Sequence, residues 1–476
     1  MNTVAGIVAR NARERPDGIA FVEAASGETM TWAEYHERSS QMAATLREYA
    51  PGDRIALQIP DGPGVHAAML ACEKAGLVAV GIGARAGERE VTHLVEQSGA
   101  RTLLRQPPAR TDAGDEQPIR ADELWLLNST SGTTGLPKVV MHTQARWFAF
   151  HAFADRVSHF HADDVFLSAL PAPFGFGLWT AHFSPAIAGA TCVVTERFGV
   201  ETVLRAIERY RVTVLAAVST QFVMMLNSPA LDAYDLSSLR VMFTGGEMVP
   251  FERAKEFEDR TGACVLQFYG SNETGALSYT TPADSQEKRL RTAGRVIPEM
   301  HVRLLDADTD ADITAPDVPG VPAGKGPALC IGYYDDEAAN NELFTSDGWM
   351  RMGDLVTIDA DGYLTVVGRT SDVIIRGGKN ISAAQVEDEV SSHPAVALCG
   401  AVAVPDATFG ERVCVFAELH AGSDPLTLDD VRAHLEARGT GKELWPERLV
   451  VLDEIPRSSG GKVAKGELRE LARSLG

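Results

Sequence analysis

Residues 128–138 read Asn-Ser-Thr-Ser-Gly-Thr-Thr-Gly-Leu-Pro-Lys, and seven of the eleven are Ser, Thr or Gly. Glycines such as Gly132 and Gly135 let backbone N–H groups approach an anion closely. The hydroxyls of Thr130, Ser131, Thr133 and Thr134 add donors, and Lys138 adds charge. A polyphosphate is the natural partner for that set. A polar surface loop is the competing interpretation, because Ser/Thr/Gly clusters commonly end as turns. A Walker loop is excluded, since Gly-x-x-x-x-Gly-Lys-Ser/Thr does not occur.

Such a loop needs a strand end to hold it, and the apolar run 124–127 predicts a short buried strand just before it. A capping box of Thr31 and Glu34 predicts a helix to about residue 49. Strands are expected at 54–59 and 77–82, with helices from 63 and from 88. Further strands are expected at 165–169, 191–195, 213–217, 240–243 and 264–268, with helices between them. This alternation predicts an α/β fold of mixed or parallel sheets covered by helices. Residues 306–327 are rich in Asp and then Pro, which predicts a solvated loop or edge hairpin. Beyond 361 strands return, and Ser382 with Gln385 caps a helix. Strands at 396–404, 413–419 and 448–452 and helices at 428–438 and 465–475 complete the chain. A boundary near 369–372 divides it into residues 1–368, a hinge at 369–371, and 372–476.

A chain of 476 residues exceeds one ordinary domain and can bury a large core. Its 44 basic and 65 acidic residues give a net charge of −21, which argues against nucleic-acid or anionic-membrane binding. Six scattered cysteines include no Cys-x-x-Cys pair, the usage of a reduced protein without a cysteine zinc site. Residues 1–17 lack the apolar core of a signal peptide, and no apolar run reaches transmembrane length. A cytoplasmic protein is expected.

One other pattern competes. Gly81-Ile82-Gly83-Ala84-Arg85-Ala86 matches a dinucleotide-binding turn after a strand. The acidic residue expected about 20 positions on is missing; Gln106 stands there. The nicotinamide reading is rejected.

Residues 130–138 resemble the signature Thr-Ser-Gly-Thr-Thr-Gly-x-Pro-Lys of the adenylate-forming superfamily, which includes acyl- and aryl-CoA synthetases, peptide-synthetase adenylation domains and luciferases. The resemblance extends from about residue 20 to 471. It implies a large N-terminal domain of helix-covered sheets with a small β-barrel-like part, and a small mobile C-terminal α/β domain.

The other motifs fall in family order. Tyr269-Gly270-Ser271-Asn272-Glu273 is similar to Tyr-Gly-x-Thr-Glu, which implies Tyr269 on adenine, Gly270 and Ser271 beside the acid, and Glu273 on Mg²⁺. A lone carboxylate beside a polyphosphate suits that hard cation. Gly245-Gly246-Glu247 resembles the glycine pair lining the adenine and acyl pockets. Arg351-Met352-Gly353-Asp354 resembles Arg-Thr-Gly-Asp, with Asp354 accepting from the ribose hydroxyls. Arg369, in Gly-Arg-x-x-Asp, is implied near ribose and phosphate. Residues 456–462, Pro-Arg-Ser-Ser-Gly-Gly-Lys, resemble the C-terminal signature whose lysine, Lys462, is catalytic. Two anions converge when a carboxylate attacks the α-phosphate, and a positioned ammonium offsets their repulsion. The chain has nine lysines, yet two stand in these motifs. Phe174, in Pro171-Ala172-Pro173-Phe174, takes the aromatic position that gates the acyl pocket. Gln221, Phe222 and Met225 are expected in the same pocket.

Each motif alone also reads as a plain polar turn; their order argues for the site. Four positions depart from the family: Val139 replaces glycine, Asn272 replaces threonine while still offering the nucleotide an acceptor and donors, Ser371 occupies the hinge position of Asp or Lys, and Val321 stands at a glutamate position. The resemblance implies ATP, Mg²⁺ and, as co-substrate, CoA. An acid would form acyl-AMP and pyrophosphate. The C-terminal domain would then rotate, withdraw Lys462 and turn the side bearing Arg376, Gly377 and Gly378 towards a thiol. Alternatives are a carrier-protein, amine or diazo-forming, nitrite-activating second step, and a nucleotide-binding relative without turnover.

Overall fold

The computed structural model describes residues 3–130, 137–247, 249–307, 309–369, 372–376, 379–406, 408–457 and 463–474. The first capping box forms as expected. Glu34 N–H donates to Thr31 Oγ1 at 3.2 Å, and Thr31 N–H donates to Glu34 Oε2 at 2.9 Å. The helix Trp32–Thr45 then runs into a 3₁₀ turn at Leu46–Glu48. Ser382 likewise accepts from Gln385 N–H and opens the helix Ala383–Ser391.

Among the described residues the strands form five sheets. The largest has nine strands. Its six inner strands run parallel: Cys264–Ser271, Val241–Gly245, Val214–Ala216, Val165–Ser168, Thr191–Val194 and Ile19–Glu23. Antiparallel strands close its two edges. In the six-stranded sheet, Leu126–Ser129, Val78–Gly81, Arg54–Leu57 and Thr102–Leu104 are parallel. The strand Val139–His142 pairs antiparallel to Leu126–Ser129, with Gly332–Tyr333 outside it. Parallel strands buried on both faces need near-continuous apolar residues, and Val78–Gly81 and Leu126–Ser129 are buried at every position. One core, containing Trp125, Trp147, Trp179 and Phe183, draws on residues of both sheets.

The region 306–327 departs from expectation. Asp312–Ile313 is the edge strand, but Val321–Lys325 lies inside a four-stranded sheet, between His301–Leu305 and Met350–Arg351. Val321 and Ala323 are buried there. Pro322 stands opposite Leu304 in this pairing, and its carbonyl accepts from Met352 N–H at 3.0 Å, just past the strand Met350–Arg351. A two-stranded ribbon, Asp354–Ile358 with Leu364–Arg369, meets this sheet through the bridge Gly320–Val356 and completes the small β part.

The fifth sheet holds only strands after residue 372: Val373–Arg376, Lys379–Ser382, Val396–Asp406, Gly410–Leu419 and Arg448–Leu452. Its core is separate and apolar, with Val386, Val390, Val413, Val415 and Val431 fully buried. Among the described residues no sheet mixes strands from before and after the segment 369–372. No described helix is long and apolar enough to cross a membrane.

Candidate active site

In open α/β sheets, ligands sit beyond the carboxyl ends of the parallel strands. Three candidate motifs follow such ends here. Leu126–Ser129 leads into 130–138, Val241–Gly245 into Gly246 and Glu247, and Cys264–Ser271 carries Tyr269 and Gly270. Together they face a cleft of ≈ 1840 Å³ whose lining includes Thr130, Phe174, Gly246, Tyr269, Asp354 and, from the C-terminal unit, Lys465.

The phosphate-loop candidate is a hairpin connection. Thr130 N–H donates to Lys138 O at 3.0 Å, and Lys138 N–H donates to Thr130 Oγ1 at 3.3 Å. Ser131, Gly132, Thr133, Thr134 and Gly135 lie outside the described residues, as do Lys462, Ser371, Gly377 and Gly378. Val139, at a family glycine position, is buried as the first residue of the returning strand.

Lys138 Nζ lies 4.9 Å from the Tyr333 ring centroid and 3.8 Å from Glu342 Oε2. The Tyr333 hydroxyl in turn donates to Glu273 Oε1 at 2.8 Å. Burial, and then the adjacent carboxylate, push the Tyr333 phenol above its ordinary range, so it stays a donor. A cation, a phenol and a carboxylate therefore stand in line at the mouth of the loop. Tyr333 had no assigned role in the sequence; neither spacing nor periodicity points at its hydroxyl.

In the lining of the cleft Tyr269 donates to Asp354 Oδ2 at 3.0 Å, and both are buried. Asp354 is the register partner of Arg369 across the ribbon, which places those two backbones opposite each other. Gly245 needs its missing side chain, because a Cβ would stand 2.3 Å from Phe268 O. Gly246 turns at φ +78°, the left-handed region that glycine enters freely. Glu247 Oε1 then accepts from Thr220 N–H at 2.9 Å and from Thr220 Oγ1 at 3.4 Å, tying this turn to the helix Ser219–Asn227.

Three expected pocket residues are placed elsewhere. Gln221 spends its amide on backbone, accepting from Val218 N–H at 3.1 Å and donating to Ala169 O at 2.7 Å. Phe222 is fully buried in the second core against Phe257, and Met225 joins it there. The cleft residues of this helix are Ser219, Thr220 and Val223. The Ser271 hydroxyl accepts from Glu273 N–H at 3.2 Å and from Thr274 N–H at 3.1 Å, which shapes its own turn. The helix periodicity marks an apolar stripe without saying whether core or cleft covers it.

Phe174 does line the cleft, in the turn closed by Phe174 N–H to Pro171 O at 3.2 Å. Asp61 Oδ1 accepts from Ala172 N–H at 2.6 Å and holds that turn. Burial pushes the Asp61 carboxyl up to about 6.

The AMP-binding enzyme family model matches residues 8–117 and 105–334, and the AMP-binding enzyme C-terminal domain model matches 385–462. A feruloyl-CoA synthase of Amycolatopsis sp is 31% identical over 97% of both chains. The salicyl-AMP ligase / salicyl-S-ArCP synthetase of Mycobacterium tuberculosis is 30% identical over 100% of this chain and 91% of its own. Among solved structures, o-succinylbenzoate CoA synthetase from Bacillus subtilis in complex with the acyl-adenylate intermediate superposes with a TM-score of 0.85, at 28% identity over 97% of both chains. The chain belongs to the AMP-binding enzyme family, and the motif order read from its sequence is that of the adenylate-forming ligases.

Proposed function

We propose that the protein activates an aryl or short- to medium-chain carboxylic acid with ATP and passes the acyl group to the thiol of CoA. A carboxylate oxygen attacks the α-phosphorus, the bond to the β-phosphate breaks, and pyrophosphate leaves. The thiolate then attacks the acyl carbon and AMP departs. The observations that carry this reading are the file of Lys138, Tyr333 and Glu273 beside the loop and the Tyr269–Asp354 pair, which lines the cleft together with Thr130. Lys138 and the 130–138 loop would take the β- and γ-phosphates, Asp354 the ribose hydroxyls, and Tyr269 the adenine face. Gly245, Gly246, Glu247 and Gly270 would border the base and the acid, and Phe174 would close the acid pocket.

The residues present fit Mg²⁺. Among the described residues no group of three or more His, Cys, Asp or Glu side chains could hold a metal alone. Mg²⁺ is commonly held by one or two carboxylates with substrate phosphates and water, and Glu273 supplies one carboxylate beside the phosphate-loop lysine. When bound, the ion would neutralise phosphate charge. Tyr333 orients Glu273, and Lys138 draws the triphosphate to the same spot.

The C-terminal unit, 372–476, would deliver Lys462 for the first reaction and rotate about 369–371 for the second. The separation of sheets at this segment supports that division. Lys465 anchors the moving unit: its ammonium lies 2.9 Å from Glu387 Oε1 and 3.5 Å from Asp372 Oδ2, just past the hinge. A carrier-protein thiol is the second reading, favoured by the salicyl-S-ArCP relative. Six cysteines without a disulfide support a reducing, cytoplasmic setting.

ATP–pyrophosphate exchange with aryl acids, aliphatic acids and nitrite, without thiol, tests the first step. Exchange with a carboxylic acid, followed by acyl-CoA formation when CoA is added, is the expected result. Exchange with nitrite alone, or with no acid despite ATP binding, would overturn it.

A further inference from the structure

Asn272 stands where the family carries threonine, directly before Glu273. Its side chain turns into the protein. Asn272 Nδ2 donates to Asn128 Oδ1 at 2.8 Å, and Asn128 Nδ2 lies 3.4 Å from Asn272 Oδ1. Asn128 Nδ2 also donates to Pro173 O at 2.9 Å, in the turn that carries Phe174. His142 Nε2 lies 2.7 Å from the same Asn128 Oδ1, and Arg146 Nη1 lies 2.6 Å from His142 Nδ1. Arg146 Nη1 closes the ring by donating to the carbonyl oxygen of Asn272 at 2.9 Å.

The donor pattern is determined throughout. Arginine only donates, so His142 Nδ1 accepts and Nε2 carries the proton, which then goes to Asn128 Oδ1. Burial, with Arg146 adding to it, holds His142 well below its usual range and therefore neutral, as this pattern requires. Asn128, His142 and Arg146 are each at most 2% exposed. The guanidinium also lies over the Trp147 ring, 4.9 Å from its centroid. Arg146 Nη2 is buried without a hydrogen-bond partner among the described residues, while the other members are paired, and paired buried polar chains specify one geometry.

The ring joins four segments: the end of the strand before the phosphate loop, the strand after it, the helix Gln144–Ser158, and the turn 271–274. Lys138 and Glu273 sit at two of those junctions. We propose that Asn272, Asn128, His142 and Arg146 form a buried clasp that positions Glu273 against the phosphate loop, so that these residues set the Mg²⁺ requirement of nucleotide binding. This rests on the reading of Glu273 as the metal-binding carboxylate. The four are positioning residues and touch neither acid nor nucleotide. Asn272 then replaces the family threonine as half of a pair with Asn128, which engages its side-chain amide.

The test is calorimetric titration of Mg²⁺ into protein with a non-hydrolysable ATP analogue, for wild type, Asn272→Ala, Asn128→Ala, the double variant, Asn272→Thr and Arg146→Lys. Partners one step removed from a metal ligand commonly change metal affinity 10–100-fold. Each single alanine variant is expected to raise the half-saturating Mg²⁺ concentration by roughly tenfold or more. The double variant should go no further than the worse single, because both remove the same link. Asn272→Thr should lose as much, since threonine is too short to reach Asn128, and the KM for the acid should stay within about twofold, as for interactions made away from the acid. An unchanged Mg²⁺ requirement, independent effects of the two alanines, or a fully competent Asn272→Thr would overturn the clasp. If Arg146→Lys does not fold, the asparagine pair still decides. If wild type shows no Mg²⁺-dependent nucleotide binding, the function reading fails instead. The clasp is then read from non-additive unfolding free energies of the same pair.

Discussion

Tyr269 donates to Asp354 at 3.0 Å although 85 positions separate them in the chain. One belongs to the strand Cys264–Ser271 of the nine-stranded sheet, the other to the ribbon Asp354–Ile358. The contact joins the proposed adenine and ribose subsites, so a change at one is felt at the other. Tyr269→Phe keeps the ring for stacking and removes the hydroxyl. A hydrogen bond to a charged group contributes about 1.5–3 kcal/mol, part of which water restores. The ATP KM should therefore rise roughly three- to tenfold with kcat little changed, and Asp354→Asn should raise it further. Pyrophosphate-exchange kinetics at saturating acid would show this. Unchanged ATP KM in both variants would remove the ribose assignment.

Lys462 and Lys465 are three residues apart, and their chemistry separates them. Lys465 is held by Glu387 and Asp372, and those carboxylates keep its ammonium above the usual range despite its burial. It is engaged in structure. Lys462→Ala should slow acyl-AMP formation by at least ~10²-fold, the scale of losing one preorganised donor, with the melting temperature unchanged. Lys465→Ala should lower the melting temperature, since it leaves the largely buried Glu387 without its cation. Single-turnover adenylation and thermal melting distinguish the two. An undiminished rate in Lys462→Ala would refute its catalytic role.

The alternation of strands and helices was legible because local rules govern it: Thr31 with Glu34, Ser382 with Gln385, and apolar runs such as 165–168 and 191–194. The motifs at 130, 245–247 and 269–271 were legible because each sits at a strand end in family order. Contacts between distant side chains were not. Nothing in the spacing of Tyr333 tells that its hydroxyl meets Glu273, 60 positions away, or that Asn128 meets Asn272 across 144. Gln221 and Phe222 fall on a helix that is apolar nearly all round, so the sequence could not separate the side facing the core from the side facing the cleft. The prolines at 316, 319, 322 and 327 argued against an inner strand, and only the pairing with His301–Leu305 and Met350–Arg351 shows that Val321–Lys325 is one.

The Gly81-x-Gly83 match has a packing explanation with a consequence. A Cβ at Gly81 would stand 2.7 Å from Pro173 Cβ, and one at Gly83 would stand 3.4 Å from the Phe174 ring. The two glycines let the turn 171–174 seat against the strand Val78–Gly81. Gly81→Ala should push that turn outwards and cost about 1–3 kcal/mol, the range for overpacking. Because the turn carries Phe174, the acid KM should rise more than the ATP KM. Urea unfolding with exchange kinetics measures both; equal changes in the two KM values would separate the turn from the acid pocket.

Glu73 governs a pH dependence of stability. It lies fully buried near the end of the helix Pro63–Lys74, and Oε1 accepts from Ala5 N–H at 2.8 Å, pinning the first helix, Val4–Glu14. Burial outweighs this hydrogen bond and raises the carboxyl from 4.5 to about 7. The folded protein thus binds the proton more tightly than the unfolded chain. The stabilisation is fully present below about pH 4.5 and is lost as pH rises through about 7. A shift of that size corresponds to on the order of 3 kcal/mol. Glu73→Gln keeps an acceptor for Ala5 N–H and cannot ionise. Its unfolding free energy should fall less than wild type between pH 5 and pH 8, the difference growing towards pH 8. Denaturant titrations at half-unit intervals across that window give the slope directly. Parallel slopes for the two proteins would mean that Glu73 ionises at its ordinary pH in the folded state.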